Sequence, residues 1–271
     1  MVPDGAKNEL SQLSPVAILC YHSVQSDWQS PLAIAPEAFA QQCRWLATHR
    51  QVVDLADAVA RMDGRARLPG ALTVLTFDDG FGGLHEHAFP VLTQYHLPAT
   101  VFLVAETLTA RGRAVDWVQP LPSHPLTTLN RDQVLEMQAA GVRFGSHSFS
   151  HQDLTTLDEE ACVADLKASR GLLEDLLQRA VPFLAYPGGR HDAKVRRAAQ
   201  RAGFSHAFSL PVRPELVSPF AVPRVGIWPG NGAFALRLKT SPWYLAVRTS
   251  GIFPLLRAAA PGKGEFGDRA R

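Results

Sequence analysis

The chain has 271 residues, 46% of them apolar and 19% charged, with 27 Lys/Arg against 25 Asp/Glu. There is enough apolar material for a sizeable core and too little charge for a disordered chain, and the length fits two ordinary domains or one α/β barrel. Three scattered cysteines, Cys20, Cys43 and Cys162, argue against a disulfide scaffold and fit a reducing compartment.

The opening MVPDGAKNELSQLSP has neither the basic start nor the apolar run of a secretory leader. No stretch approaches the ~20 consecutive apolar residues of a membrane span, so a cytoplasmic location is expected. Charge is uneven: from Arg224 to Arg271 there are eight Lys/Arg and two Asp/Glu, which leaves 19 against 23 in the remainder. Trp228, Phe234, Trp243, Tyr244 and Phe253 share that stretch. Peripheral contact with an anionic membrane surface therefore stands beside the plainer reading, a solvated helix with core-facing aromatics. Nucleic acid is not an expected partner, because the body of the chain is acidic and carries no basic recognition helix.

In chain order, short apolar β-branched runs predict strands at 16–21, 51–54, 72–77, 99–104, 142–147, 182–186, 206–210 and 222–227. Amphipathic segments predict helices at 36–50, 84–95, 130–140, 158–179 and 192–202. Asn130 is placed as an N-cap, and Gly141 and Gly203 as stops. This alternation means a parallel sheet, and no GxGxxG supports a dinucleotide-binding open sheet. The polar residues that look chemical all sit where a strand ends: Tyr21-His22, Asp78-Asp79, His147 with His151, and Tyr186-Pro187-Gly188. In a barrel of parallel strands that is the rim where side chains of different strands meet, so an irregular (β/α) barrel of seven to eight strands is expected. The Pro-rich WVQPLPSHP at 117–125 reads as a βα insertion near the site. Residues 1–228 are read as one domain and 229–271 as a basic, aromatic C-terminal extension.

Three clusters carry candidate chemistry. In LTFDDG (75–80) a buried strand runs into two carboxylates, which is costly unless they are paired or bind a cation; Asp-Asp-Gly is equally ordinary turn chemistry. In HSFSH (147–151) two imidazoles at i and i+4 would share one face of a helical turn, a spacing that suits a divalent metal. Two histidines plus one aspartate make an open metal site with room for water. In FLAYPGG (183–189) glycines after a strand could aim N–H groups at a ligand or simply make a tight turn.

On these residues the chain resembles the polysaccharide deacetylases, the NodB-homology domain of carbohydrate esterase family 4. TFDDG (76–80) and HSFSH (147–151) look like the family's first two motifs and YPGG (186–189) like a degraded third. LCYHSV (19–24) and PATVFLV (98–104) also match, with the poly-N-acetylglucosamine deacetylase branch nearest. The resemblance implies one divalent metal, usually zinc, on Asp79, His147 and His151. It implies Asp78 as general base, Gly188 with Tyr186 at the oxyanion and substrate, and His22 as general acid. Two departures stand out: Ala185 occupies the place of an arginine that commonly steadies the base, and Gly188 that of an aromatic residue. His206, after the third motif, opens a strand.

The implied activity is removal of N-acetyl groups from N-acetylhexosamine units of an oligo- or polysaccharide, nascent or lipid-linked if the chain works inside the cell. A deacylase of non-sugar amides and a decayed, non-catalytic carbohydrate-binding protein are the alternatives.

Overall fold

The computed structural model describes residues 16–109, 112–211, 216–241 and 244. Its strands are β1 (Val16–Tyr21), β2 (Ser23–Val24), β3 (Ala33–Ile34), β4 (Gln51–Val52), β5 (Leu72–Phe77), β6 (Ala99–Leu103), β7 (Arg143–Ser146), β8 (Phe183–Ala185), β9 (His206–Ser209), β10 (Val222–Pro223) and β11 (Val225–Gly226). Eight of them follow the order β10-β9-β8-β7-β6-β5-β1-β11, every pair parallel, with β4 pairing the start of β5. Only Arg224 separates β10 from β11. One short extended segment therefore pairs with β9 through Val222 and with β1 through Val225, bringing the two ends of the sheet together. This is the expected barrel.

The helices are α1 (Pro36–His49), α2 (Leu55–Met62), α3 (Phe89–Gln94), α4 (Arg131–Ala139), α5 (Glu159–Leu177), α6 (Ala193–Arg201) and α7 (Ala233–Lys239). Asn130 caps α4 in a reciprocal box with Gln133, and Asp158 and Asp192 cap α5 and α6. The helix expected at 84–95 is two pieces, a π-helical turn over Leu84–Ala88 and then α3, which carries Pro90 in its first turn. The short α2 was not expected. Asp54 starts it by accepting from the Ala56 N–H at 2.7 Å.

Period-2 alternation sorts the strand residues into two layers. Leu19, Tyr21, Leu75, Phe77, Val101 and Leu103 join the cluster beneath the outer helices. Ile18, Val74, Phe102, Ala185, Phe208 and Val222 fill the barrel together with Leu55, Ala58 and Val59 of α2, which thus plugs the N-terminal mouth. The other mouth is left for polar residues. On β5 the inward series Val74, Thr76 leads directly to Asp78.

Residues 233–239, assigned to the C-terminal extension on sequence grounds, form α7, whose Leu236 is buried. Arg50 Nε donates to Thr240 Oγ1 (2.7 Å), and Gln42 Nε2 to the Asn231 carbonyl (2.7 Å), tying this end to α1. Trp243 and Phe253, on which the membrane-contact expectation leaned, lie outside the described residues. No helix among the described residues is long and apolar enough to cross a membrane.

Two glycines should respond oppositely to the same change. A Cβ at Gly145 would lie 2.6 Å from Phe102 Cε1 and 3.1 Å from the Phe183 carbonyl, whereas one at exposed Gly171 in α5 meets nothing within 4 Å. Gly145→Ala should lower stability by about 1–3 kcal/mol through overpacking. Gly171→Ala should raise it by about 0.5–1 kcal/mol through helix propensity. Urea midpoints that move in the same direction would contradict this packing.

Candidate active site

Three strand ends build the site. Asp78 continues the ladder of β5, its N–H donating to the Tyr21 carbonyl at 3.0 Å, so its side chain follows the inward series. Asp79 should then point outward. Instead it takes a left-handed conformation (φ 69°), followed by Gly80 (φ 64°), and the chain reverses so that both carboxylates are buried at the rim. Gly80 is required twice over, by its φ and because a Cβ would sit 2.6 Å from Leu103 Cδ2. Left-handed backbone at a non-glycine residue is strain that the surroundings must hold in place.

The second segment departs from expectation. Residues 147–151 form a bend, with Ser148 (φ 67°) and His151 (φ 61°) left-handed, and not a helical turn. Asp165 of α5 imposes the bend: its Oδ1 accepts from the Phe149 N–H (2.9 Å), and its Oδ2 from Ser150 Oγ (3.4 Å) and Gln152 Nε2 (3.3 Å). Ser148 Oγ accepts from the His151 N–H at 3.0 Å. The imidazoles still converge, with ring centroids 5.0 Å apart.

Asp79 Oδ1 lies 3.0 Å from His151 Nε2 and 3.6 Å from His147 Nε2. His147 Nδ1 is 2.9 Å from the Ala185 carbonyl. A carbonyl can only accept, so Nδ1 carries the proton. Burial holds the His147 pKa down at about 4 against the pull of Asp78 and Asp79, so the ring is neutral and Nε2 is a bare lone pair. A lone pair aimed at a carboxylate oxygen is repulsive unless something positive lies between them. The chemistry of the donor set thus fits a divalent cation on Asp79, His147 and His151, with imidazole tautomer and orientation fixed from behind by a backbone carbonyl. His151 keeps 16% of its side chain exposed while the other two keep 2–4%, so the set opens to solvent on the His151 side.

Asp78 is held by a residue the sequence reading missed. Arg224, fully buried between β10 and β11, donates through Nη1 to Asp78 Oδ1 and through Nη2 to Oδ2, both at 2.7 Å. Burial alone would raise the Asp78 pKa, but Arg224 and then His147 outweigh it, and the carboxyl sits well below the usual carboxylate range. The arginine absent at 185 is replaced from another strand. The signal was a lone arginine in an otherwise apolar strand, VPRVGI, where a buried guanidinium needs a partner. Cys20 Sγ donates to Asp78 Oδ2 at 3.3 Å, and Cys20, His22 and Asp78 form a second group of convergent donors. That group suits a cation poorly. Burial pushes the Cys20 thiol well above its ordinary pKa, and both Asp78 oxygens already face Arg224.

His22 follows β1 into the rim, its ring stacked on Trp228 at 5.8 Å, with Nδ1 buried and without a partner. Gly188 is exposed and left-handed (φ 59°) in the turn after β8, whose Ala185 carbonyl already receives His147. Tyr186 is different: its side chain is fully buried and its hydroxyl donates to the Phe220 carbonyl at 2.9 Å, so the side chain braces the turn from inside. His206 pairs with Asp63 Oδ1 (3.1 Å) at the start of β9, at the opposite end of the barrel.

A family model described as polysaccharide deacetylase matches residues 66–207, just over half of the chain, and the chain belongs to that family of hydrolases. The poly-β-1,6-N-acetyl-D-glucosamine N-deacetylase of Staphylococcus epidermidis is 26% identical over 220 residues, 76% of this chain and 71% of the relative. The structure of IcaB from Ammonifex degensii is similar at a TM-score of 0.70 and 26% identity, covering 84% of this chain and 97% of that one. The Streptococcus pyogenes deacetylase PplD shares the fold at a TM-score of 0.71, with 21% identity and coverage of 84% and 98%.

The Arg224–Asp78 pair predicts a pH-dependent cost. In Arg224→Met the buried carboxylate loses its counter-charge, and stability at pH 7 should fall by about 3–5 kcal/mol. In the parent, the depressed pKa contributes stability above the unfolded value of about 3.9 and loses it as pH falls toward the folded one. The variant's penalty also vanishes as Asp78 protonates. The difference between the two proteins should therefore narrow on acidification; a gap independent of pH in urea titrations would assign the loss to packing alone.

Proposed function

We propose that the chain is a metal-dependent de-N-acetylase acting on N-acetylhexosamine units of a poly- or oligosaccharide, with β-1,6-linked N-acetylglucosamine the first substrate to test. The observation that carries this is the convergence of Asp79 with Nε2 of His147 and His151 beside an arginine-held Asp78. The name of the staphylococcal relative supports the choice of sugar. Asp79, His147 and His151 would hold one divalent ion, and a two-nitrogen, one-oxygen set of this kind suits zinc. When bound, such an ion polarises the acetamide carbonyl and draws the pKa of a water toward ≈ 7.

The remaining steps fall to the chain's own residues. Asp78 takes the proton of the attacking water. Arg224 occupies one lone pair of each of its oxygens and leaves others to accept. The Gly188 N–H faces the oxygen of the scissile carbonyl as negative charge grows there, which a fixed donor stabilises without reorganising. His22 delivers a proton to the departing amine. Its orphaned Nδ1 and the Trp228 ring that fixes its plane favour it over His206, which lies at the wrong end of the barrel. Residues 1–228 are taken as the catalytic domain.

Acetate release from N-acetylglucosamine oligomers, with and without chelator, tests the reading. Activity should be lost on chelation and restored by zinc. Asp78→Asn should lower turnover by roughly 10²–10⁴-fold while zinc is still bound, and Asp79→Asn should lose the zinc. Full activity in chelator, or in Asp78→Asn, contradicts it.

A further inference from the structure

Trp117, in the insertion between β6 and α4, touches two of the three candidate metal ligands at once. Its indole Nε1 donates to Asp79 Oδ1 at 3.1 Å, and its ring stacks on His151 with centroids 5.1 Å apart and planes 25° apart. We propose that Trp117 is a positioning residue for the cation, setting the Asp79 carboxylate and the His151 ring in binding geometry before any ion arrives. The inference rests on the metal reading above.

The insertion is built as a platform for this contact. The Val115 N–H donates to the Leu126 carbonyl (2.8 Å) and the Thr128 N–H to the Arg113 carbonyl (3.0 Å), folding the segment back on itself. It is fastened to the turn that carries Asp79: the Leu129 N–H donates to the Gly80 carbonyl and the Gly82 N–H to the Thr127 carbonyl, each at 2.7 Å. Beneath lies a separate apolar cluster of Trp28, Ala33, Phe81, Val115, Val118 and Leu126, against which Trp117 packs. Trp28 Nε1 donates to the Pro120 carbonyl at 2.8 Å and locks the Pro-rich stretch. Ligand and clamp thus ride on one rigid unit.

The physics is that of an outer partner on a metal ligand. A carboxylate free to rotate, beside an imidazole free to tilt, loses that freedom on binding, and the loss appears as weaker affinity. The indole N–H removes the first freedom and the indole face the second, while leaving the remaining lone pairs of Asp79 for the ion. A phenyl ring at 117 would keep an aromatic face for His151 and part of the packing, and lose the N–H.

Zinc affinity of the full chain, measured by competition with a chromophoric chelator, decides the matter. Trp117→Phe should bind zinc roughly 10–100-fold more weakly, the effect typical of losing an outer partner, with the melting temperature of the metal-free protein unchanged. Trp117→Ala should bind more weakly still. Trp45→Phe, altered on α1 and away from the site, should bind as the parent does. Trp117→Phe binding zinc as tightly as the parent would overturn the inference while leaving the metal reading intact. A parent chain that takes up no zinc would bring down both.

Discussion

Two buried opposite charges, Asp78 and Arg224, meet where the barrel closes. Each ion alone would cost several kcal/mol to bury, and the pair is tolerable only if geometry and remaining valences are both satisfied. They are. The fork is bidentate, Nη1 also reaches Thr76 Oγ1 (3.2 Å), Nε points to the Ser209 carbonyl (3.4 Å), and the guanidinium lies 5.3 Å from the centre of the Phe102 ring. The pair therefore ties β5, β9 and the β10–β11 segment into one arrangement. An apolar pair of similar volume could stabilise the fold as well or better, so stability is a poor reason for its presence. Its consequence is chemical: a carboxylate that stays ionised in a dry place, next to a neutral imidazole.

Around that fixed point the rim uses strain for placement. Asp79, Ser148 and His151 all sit at positive φ, where a side chain is unfavourable, and at Asp79 this turns inward a residue that strand alternation would direct outward. Supports come from distant parts of the chain: Asp165 on α5, the Ala185 carbonyl on β8, Trp117 on the insertion. Rigid elements supply the partners and strained turns supply the reach. Among the three donors, His151 is the one that keeps appreciable contact with solvent.

How much of this was legible follows from locality. The strands could be read because parallel strands buried on both faces are near-continuous apolar runs, and the rim because polar residues clustered at their ends. The metal-type triad was legible as residue types, though the shape of 147–151 was not, since its left-handed bend depends on Asp165 in the following helix. The burial of the Tyr186 side chain was not legible, because sequence cannot say which way a residue just past a strand points. Arg224 went unread because a motif position is a convention of sequence, whereas the requirement is spatial: any strand that brings a guanidinium beneath Asp78 will serve.

The claim on which the rest depends is that one cation sits among Asp79, His147 and His151. Anomalous X-ray diffraction at the zinc edge from crystals of the zinc-loaded protein locates it directly. A single peak at about 2.0–2.2 Å from Asp79 and from Nε2 of both imidazoles is expected. A peak instead between Cys20, His22 and Asp78, or none anywhere on the rim, would contradict it.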